Sequence, residues 1–364
     1  KTLPLPREAS LRRIGGIDRG LVLWFPGPAS FTGEDMAELQ VHGGRAVVKA
    51  VVEAVLATDG TRLAEPGEFA RRAFENGKLD LTEVEGLADL VSAETEAQRR
   101  QALVQSEGGL RRLYEGWRAE LLKAQSFMEA GLDFSDEGDV ADDATRMAGD
   151  VVKALLPRIE AHLADHSGER LRDGFRVVIA GPPNAGKSSI LNALAKRDVA
   201  IVSEEAGTTR DVIEVHLDIG GVPVIVADTA GLREGGGAVE SEGIRRAVSR
   251  AEGADLVLWI VDASAARAEP SPKFGDAPVL TVTNKLDLVS GPGPETRSGL
   301  SLSAKTGEGL EALLAALGDR ASEGLEAQAA TPITRTRHRV ELVSVRDALK
   351  RFINHDLEAE LRAE

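Results

Sequence analysis

The sequence predicts a multidomain protein: an α+β N-terminal module, an α-helical domain, and an α/β domain with a phosphate-binding loop inserted into the helical one. Three patterns predict this. Residues 1–80 mix β-like runs such as Leu21-Val22-Leu23-Trp24-Phe25 with a helix-like run from Ala46 to Ala57. Residues 82–171 take helical apolar spacing, with Leu110, Leu113, Trp117 and Leu121 on one stripe and a repeat from Val151 to His166. That spacing returns in 321–364 at Leu342, Val345 and Leu349. Between the two helical parts, residues 172–320 alternate apolar runs with helix-like stretches, as a doubly wound sheet does. Pro157 is expected to bend or break its helix, and Gly291–Gly299 to be a surface loop.

The inserted domain carries the chemistry. Gly181-Pro182-Pro183-Asn184-Ala185-Gly186-Lys187-Ser188 follows the apolar run Phe175–Ala180 and opens a helix-like stretch from Ser189 to Leu194. Strand, glycine loop and helix is the order a phosphate cradle needs. Pro182 and Pro183 have no N–H, so the donors run from Asn184 through Ala185, Gly186 and Lys187 to Ser188, with Ser189 next to them. Lys187 suits the β/γ-phosphates and the Ser188 hydroxyl suits Mg²⁺.

Further motifs choose the nucleotide. Val224–Ala227 leads into Asp228-Thr229-Ala230-Gly231, where Asp228 can hold Mg²⁺ through water and the Gly231 N–H can meet a γ-phosphate. Asn284-Lys285-Leu286-Asp287 follows another apolar run. The Asp287 carboxylate accepts from the two donors of a guanine edge, Asn284 meets the opposite edge, and the Lys285 stem lies against the base. Adenine lacks that donor pair and leaves the carboxylate unpaired. Ser303-Ala304-Lys305 adds a loop whose Ala304 N–H suits the guanine carbonyl. Thr209, in Ala206–Asp211, is the expected switch hydroxyl for Mg²⁺. Leu232 stands where a water-orienting Gln is placed in Ras-like enzymes, so hydrolysis needs another arrangement. Asn184 is either a ligand of a monovalent cation against the phosphates or a turn residue tolerating an unusual backbone. The domain reads as a GTPase.

At this point the sequence resembles the tRNA-modification GTPases of the MnmE (TrmE) family. The resemblance rests on GPPNAGKSS, AGTTRD, DTAGLRE and NKLD, and on Phe25–Asp35, Val41-His42-Gly43-Gly44, Glu65–Phe69 and Asn76–Leu81. It implies a potassium ion held by Asn184 with Ser203, Glu205 and Thr208. It implies a catalytic carboxylate in Val239–Ile244, assigned to Glu240, with Glu242 the neighbour most easily confused with it. It also implies a tetrahydrofolate-binding-like N-terminal module that takes a 5-formyl- or methylene-tetrahydrofolate at Glu38 and Lys78. The implied protein is a homodimer that works with an FAD-dependent MnmG (GidA)-type partner on tRNA, adding a carboxymethylaminomethyl- or aminomethyl-type group to the wobble uridine (U34). Against the family pattern, the chain starts at Lys1-Thr2-Leu3-Pro4, without the family's first strand region and a folate-binding Arg. It stops at Arg362-Ala363-Glu364, before the Cys-x-Gly-Lys tail. Two other readings stay open: a ribosome-assembly GTPase, and a folate-binding scaffold in which GTP is a structural switch.

Composition sets limits. The formal charge is −15, which argues against a broad electropositive nucleic-acid surface. A tRNA must then meet a local patch, with Arg111, Arg112 and Arg118 or the run Thr334–Arg339 as candidates, each alternatively a solvated helix face. There is no cysteine, no membrane-length apolar run and no leader pattern, so a cytoplasmic protein is expected. His162 and His166 have metal-compatible spacing but read as a solvated face. The acidic stretch Asp133–Asp143 reads as a flexible loop, and His42 beside Gly43-Gly44 as a tight turn with close backbone approach.

One prediction follows from base recognition. Asp287→Asn exchanges an acceptor-only carboxylate for an amide that also donates. GTP binding should weaken and XTP binding should appear in a competition titration; unchanged GTP affinity excludes Asp287 as the base reader.

Overall fold

The computed structural model describes residues 3–133, 138–201, 214–228, 253–265, 271–289, 299–323, 325 and 331–354, with backbone alone at 138–141. The chain forms two compact units, Lys1–Ala88 with Val104–Arg112, and Asp89–Leu103 with Leu113–Glu364.

In the first unit, β1 (Ser10–Ile14), β2 (Asp18–Phe25) and β3 (Met36–Gln40) form an antiparallel meander. α1 (Arg45–Leu56) matches the helix expected from Ala46 to Ala57, and α2 (Glu68–Glu75) follows. A buried carboxylate organises the entry to α2. Glu68 accepts from Arg62 Nη1 and Nη2 at 2.8 and 2.7 Å and from the Glu65 N–H at 2.8 Å. The Arg62 hydrogen bonds hold its pKa down at about 2. Because a buried carboxylate is tolerated only when paired, Glu65–Glu68 is a structural turn. The close approach expected at Gly43-Gly44 is absent: a Cβ at Gly43 would meet nothing within 4 Å. His42 instead ties down β2, its N–H and ring Nδ1 both 2.9 Å from the Asp18 carboxylate. Those His42 contacts hold Asp18 below the usual carboxylate range.

Next in the chain are α3 (Leu81–Ser92), α4 (Glu96–Ser106), α5 (Gly109–Asp133), α6 (Gly138–Ala164) and α7 (Ser167–Asp173). The α/β domain then runs β4 (Phe175–Ala180), α8 (Lys187–Ala195), β5 (Ala200–Ile201), β6 (Glu214–Ile219), β7 (Val222–Asp228) and β8 (Leu256–Asp262). It closes with β9 (Val279–Asn284), β10 (Leu300–Ser301) and α9 (Leu310–Ser322), before α10 (Thr336–Asn354).

Among the described strands the sheet order is β10-β9-β8-β4-β7-β6-β5. β7, β4, β8, β9 and β10 are parallel, and β6 and β5 add an antiparallel edge. β8 is apolar from Leu256 to Val261, as a strand covered on both faces must be. Leu256, Leu258 and Ile260 join Ile190, Leu191 and Leu194 of α8 and Leu313 and Leu317 of α9; Val257, Trp259 and Val261 pack with Phe274 on the other side.

The expected stripes form the helical core from Leu113 onward, while buried Leu110 falls in the first unit. Trp117, Ala124 and Met128 of α5 meet Ala148, Val152, Leu155 and Ile159 of α6 and Leu342 and Leu349 of α10. Four expectations need correction here. α6 continues through Pro157. Proline disfavours a helix interior by about 3 kcal/mol, but burying Leu155 and Ile159 beside it returns about 1.5–3 kcal/mol each. The acidic stretch is not one long loop, since α5 reaches Asp133 and α6 starts at Gly138. His162 and His166 do not share a helix face, because α6 ends at Ala164, and His162 is only 5% exposed. Its ring lies edge-on to Trp117 at 5.3 Å and its Nε2 is 3.3 Å from the Tyr114 hydroxyl.

The fourth correction concerns Thr334–Arg339, where Thr336 and Arg337 are exposed but the rest of the run is not a solvated face. Thr334 and His338 are buried. Arg335 donates to Asp89 Oδ1 at 2.7 Å, the oxygen that Arg172 reaches at 3.2 Å. Arg339 donates to Glu169 Oε2 at 2.7 Å and to the carbonyls of Leu163 and Asp165. Arg172 ends α7 just before β4, and Arg335 stands just before α10. One carboxylate therefore ties together the two crossings between the helices and the α/β domain. Glu94 adds a third tie, 2.7 Å from Nδ1 of His216 on β6.

Burial lowers the His162 pKa to about 4 from its usual 6.5, with Arg339 and His338 reinforcing the shift and Asp165 opposing it. Between those values the unfolded chain takes a proton that the folded chain refuses. The stability contribution is therefore whole above pH 6.5 and is lost as pH falls towards 4. The expected loss for this one group is about 2 kcal/mol at pH 5. Chemical denaturation of the wild type and His162→Phe at pH 7.5 and 5 checks this: the pH dependence should shrink by that amount in the variant, and identical slopes refute it.

Candidate nucleotide site

Four neighbouring parallel strands deliver polar groups to one edge of the sheet. β4 runs into the glycine loop, β7 ends at Asp228, β8 at Asp262 and β9 at Asn284. The carboxyl edge of such a sheet is where a ligand crevice forms.

The loop that joins β4 to α8 is shaped by two left-handed residues, Asn184 (φ 62°) and Gly186 (φ 91°). Asn tolerates that region better than other side chains, so the turn reading of Asn184 is met, and the residue is exposed. Gly186 caps α8, and a Cβ there would run into Nδ2 of Asn284. The first-turn N–H groups of α8, on Lys187, Ser188 and Ser189, have no carbonyl within the helix to meet and suit an anion. Lys187 Nζ lies in the loop, donating to the carbonyls of Gly181 and Pro182 at 2.9 and 2.8 Å. The Ser188 hydroxyl donates to Oδ2 of buried Asp228 at 2.8 Å. This oxygen-only pair is the donor chemistry that Mg²⁺ takes. No cluster of three or more His, Cys, Asp or Glu exists among the described residues, so a metal here would need ligand oxygens as well.

In the base-reading motif, Asn284 and Asp287 both meet protein groups. Asn284 is 2% exposed and spends its amide on the protein. Nδ2 donates to the Ala185 carbonyl at 3.0 Å, and Oδ1 accepts from the Ala304 N–H at 3.0 Å. The Asn284 amide and the Ala304 N–H, both expected to face a guanine, thus meet each other. The reason is burial, since an unpaired amide there costs about 1–3 kcal/mol. Asp287, whose side chain is 16% exposed, accepts from the Ser303 hydroxyl at 2.7 Å and has Lys305 Nζ at 3.9 Å. Lys285 has a positive φ of 69° and pairs with Asp262 at 2.6 Å. Asp262 was missed in the sequence, although the run Leu256–Val261 ends in a carboxylate just as Val222–Ala227 does.

Two other expected site residues are on the first unit. Glu38 is exposed on β3, cross-strand from Leu23, and exposed Lys78 donates to the Pro28 carbonyl at 3.0 Å. Ser203, Glu205, Thr208, Thr209, Thr229, Ala230, Gly231, Leu232, Glu240 and Glu242 lie outside the described residues. No described helix is long and apolar enough to cross a membrane.

Comparison with known proteins places this geometry in context. A family model described as GTP-binding protein TrmE N-terminus matches residues 4–78, and one described as MnmE helical domain matches residues 81–364. The tRNA modification GTPase MnmE of Parvibaculum lavamentivorans is 54% identical over 354 residues, 95% of this chain and 80% of that protein. Its counterpart in Paramagnetospirillum magneticum is 53% identical over 97% of this chain and 82% of its own length. The mitochondrial 5-taurinomethyluridine-tRNA synthase subunit GTPB3 of Homo sapiens is 49% identical over 97% of this chain and 77% of its own length.

Removing the Asn284 side chain leaves the Ala185 carbonyl and the Ala304 N–H without their partner. Asn284→Ala should lower the unfolding free energy of the α/β domain by about 2–4 kcal/mol and weaken GDP binding at least tenfold. Urea denaturation and nucleotide titration check both; full stability with full affinity contradicts the bridging role.

Proposed function

From the premise that the chain belongs to the MnmE (TrmE) family of tRNA-modification GTPases and is a GTP hydrolase, we propose that its hydrolysis is potassium-dependent and drives a conformational cycle in wobble-uridine modification. The observation that supports this reading is the shared strand edge: the Lys187 loop follows β4, Asp228 of the Ser188–Asp228 pair ends β7 and Asp287 follows β9, all at the carboxyl edge of one sheet.

Within it, Lys187 and the first-turn N–H groups of α8 bind the phosphates, and Asp287 selects guanine. Ser188 and Thr209 would hold Mg²⁺, which when bound neutralises charge on the β- and γ-phosphate oxygens. Asn184, with Ser203, Glu205 and Thr208, would hold K⁺. The left-handed turn supports that role by setting an exposed Asn beside the phosphate cradle. Leu232 has no group to orient water, so the reading gives that task to Glu240.

At the level of the pathway, the protein would act as a homodimer with an FAD-dependent MnmG (GidA)-type partner, on a tRNA, with a tetrahydrofolate one-carbon unit carried near Glu38 and Lys78. The product would carry a carboxymethylaminomethyl- or aminomethyl-type group. A ribosome-assembly role is less well supported, because the likeness extends through residues 4–78, outside the GTPase core.

GTP turnover measured in KCl and NaCl at matched ionic strength tests the proposal. Turnover should be markedly faster in KCl, Asn184→Ala should remove the difference, and tRNA modification reconstituted with the flavoprotein partner should follow the same cation order. Equal turnover in both salts overturns the potassium reading.

A further inference from the structure

We infer that Asp262 is a positioning residue for guanine-nucleotide binding, holding Lys285 in place as a wall of the base slot. This rests on the guanine-site reading above. Asp262 and Asn284 are register partners at the ends of β8 and β9, and the Ala263 N–H donates to the Asn284 carbonyl at 2.8 Å. The next residue, Lys285, sits in the left-handed region at φ 69° and ψ 37°. A lysine gains nothing from that conformation, which left-handed sterics disfavour for any side chain. The compensation visible here is electrostatic: Nζ of Lys285 donates to Oδ2 of Asp262 at 2.6 Å, with both side chains partly buried.

The carboxylate is itself immobilised. Its Oδ1 accepts from the Ser264 N–H at 2.8 Å and from the Ser264 hydroxyl at 2.6 Å. Burial pushes the Asp262 carboxyl up, yet the Lys285 and Ser264 hydrogen bonds outweigh it and leave the group below its ordinary value. Asp262 is thus a fixed anion with one oxygen for its own turn and one for Lys285. Two lysines serve this edge of the sheet with separate duties. Lys187 lies in the phosphate loop, while Asp262 neutralises Lys285 and stretches its methylene stem into a fixed position two residues before the base reader Asp287.

A double-mutant cycle on the whole chain tests this, with a fluorescent GDP analogue as the probe. Asp262→Asn keeps an acceptor for Ser264 but removes the charge that holds Lys285. It should weaken GDP analogue binding about tenfold, with turnover at saturating GTP changed less than twofold. In a Lys285→Met background, where an uncharged stem needs no anchor, adding Asp262→Asn should change affinity less than twofold. Equal losses in both backgrounds, or no loss in either, overturn the inference. If Asp262→Asn does not fold, Asp262→Glu, which keeps the charge but displaces it, serves in the same cycle with the same expected pattern. Binding of the analogue by the unmodified protein, competed by GTP and not by ATP, separates failure of the anchor from failure of the guanine-site reading, since a protein without that preference removes the ground for both.

Discussion

Asn284 is the group on which the nucleotide edge depends. One buried amide joins the glycine loop after β4, through the Ala185 carbonyl, to the loop after β10, through the Ala304 N–H. Neither loop has a regular ladder to hold it there. Gly186 is required by the same contact, because Asn284 occupies the space where a side chain would project. The backbone of the phosphate cradle and the surroundings of Asp287 are therefore fixed to each other before any ligand arrives, which is the preorganisation a binding site needs.

The sequence was most legible where one physical rule dominated. Apolar runs bounded by glycine or a carboxylate became parallel strands, and stripes such as Leu113–Leu121 and Leu342–Leu349 became core faces. Lys187 and Ser188 open α8 directly after the glycine loop, and Asp287 follows β9, the local elements the spacing predicts. Legibility failed where two requirements competed. The type and position of Asn284 suit a base, but they do not show that its buried amide also bridges the Ala185 carbonyl and the Ala304 N–H. Pro157 was expected to bend or break its helix; the break does not occur, because its neighbours Leu155 and Ile159 are core residues whose packing keeps α6 continuous. His162 was read as solvated from its spacing to His166, but the partners that bury it, Tyr114 and Trp117, are far away in sequence.

Charge shows the same competition. Arg335 and Arg339 look like a basic patch when counted along the chain, and an acidic protein invites a search for one. In the fold they are consumed by Asp89 and Glu169. Buried or half-buried arginines with carboxylate partners add little net stability over an apolar contact, but they resist replacement, because deleting one partner strands the other. Their value is directional: they specify which segments meet.

The Asp89 carboxylate has a topological consequence. Since Arg172 and Arg335 reach the same oxygen, the chain leaves the helical layer and returns to it within the span of two side chains. Seen from α6 and α10, the whole α/β excursion is a loop whose ends are already closed, and the entropy of closing a loop grows only slowly with its length. Insertions inside that excursion therefore tax the helical bundle very little. The inserted domain behaves as a cassette, free to gain or shed loops while the bundle that carries it keeps its packing.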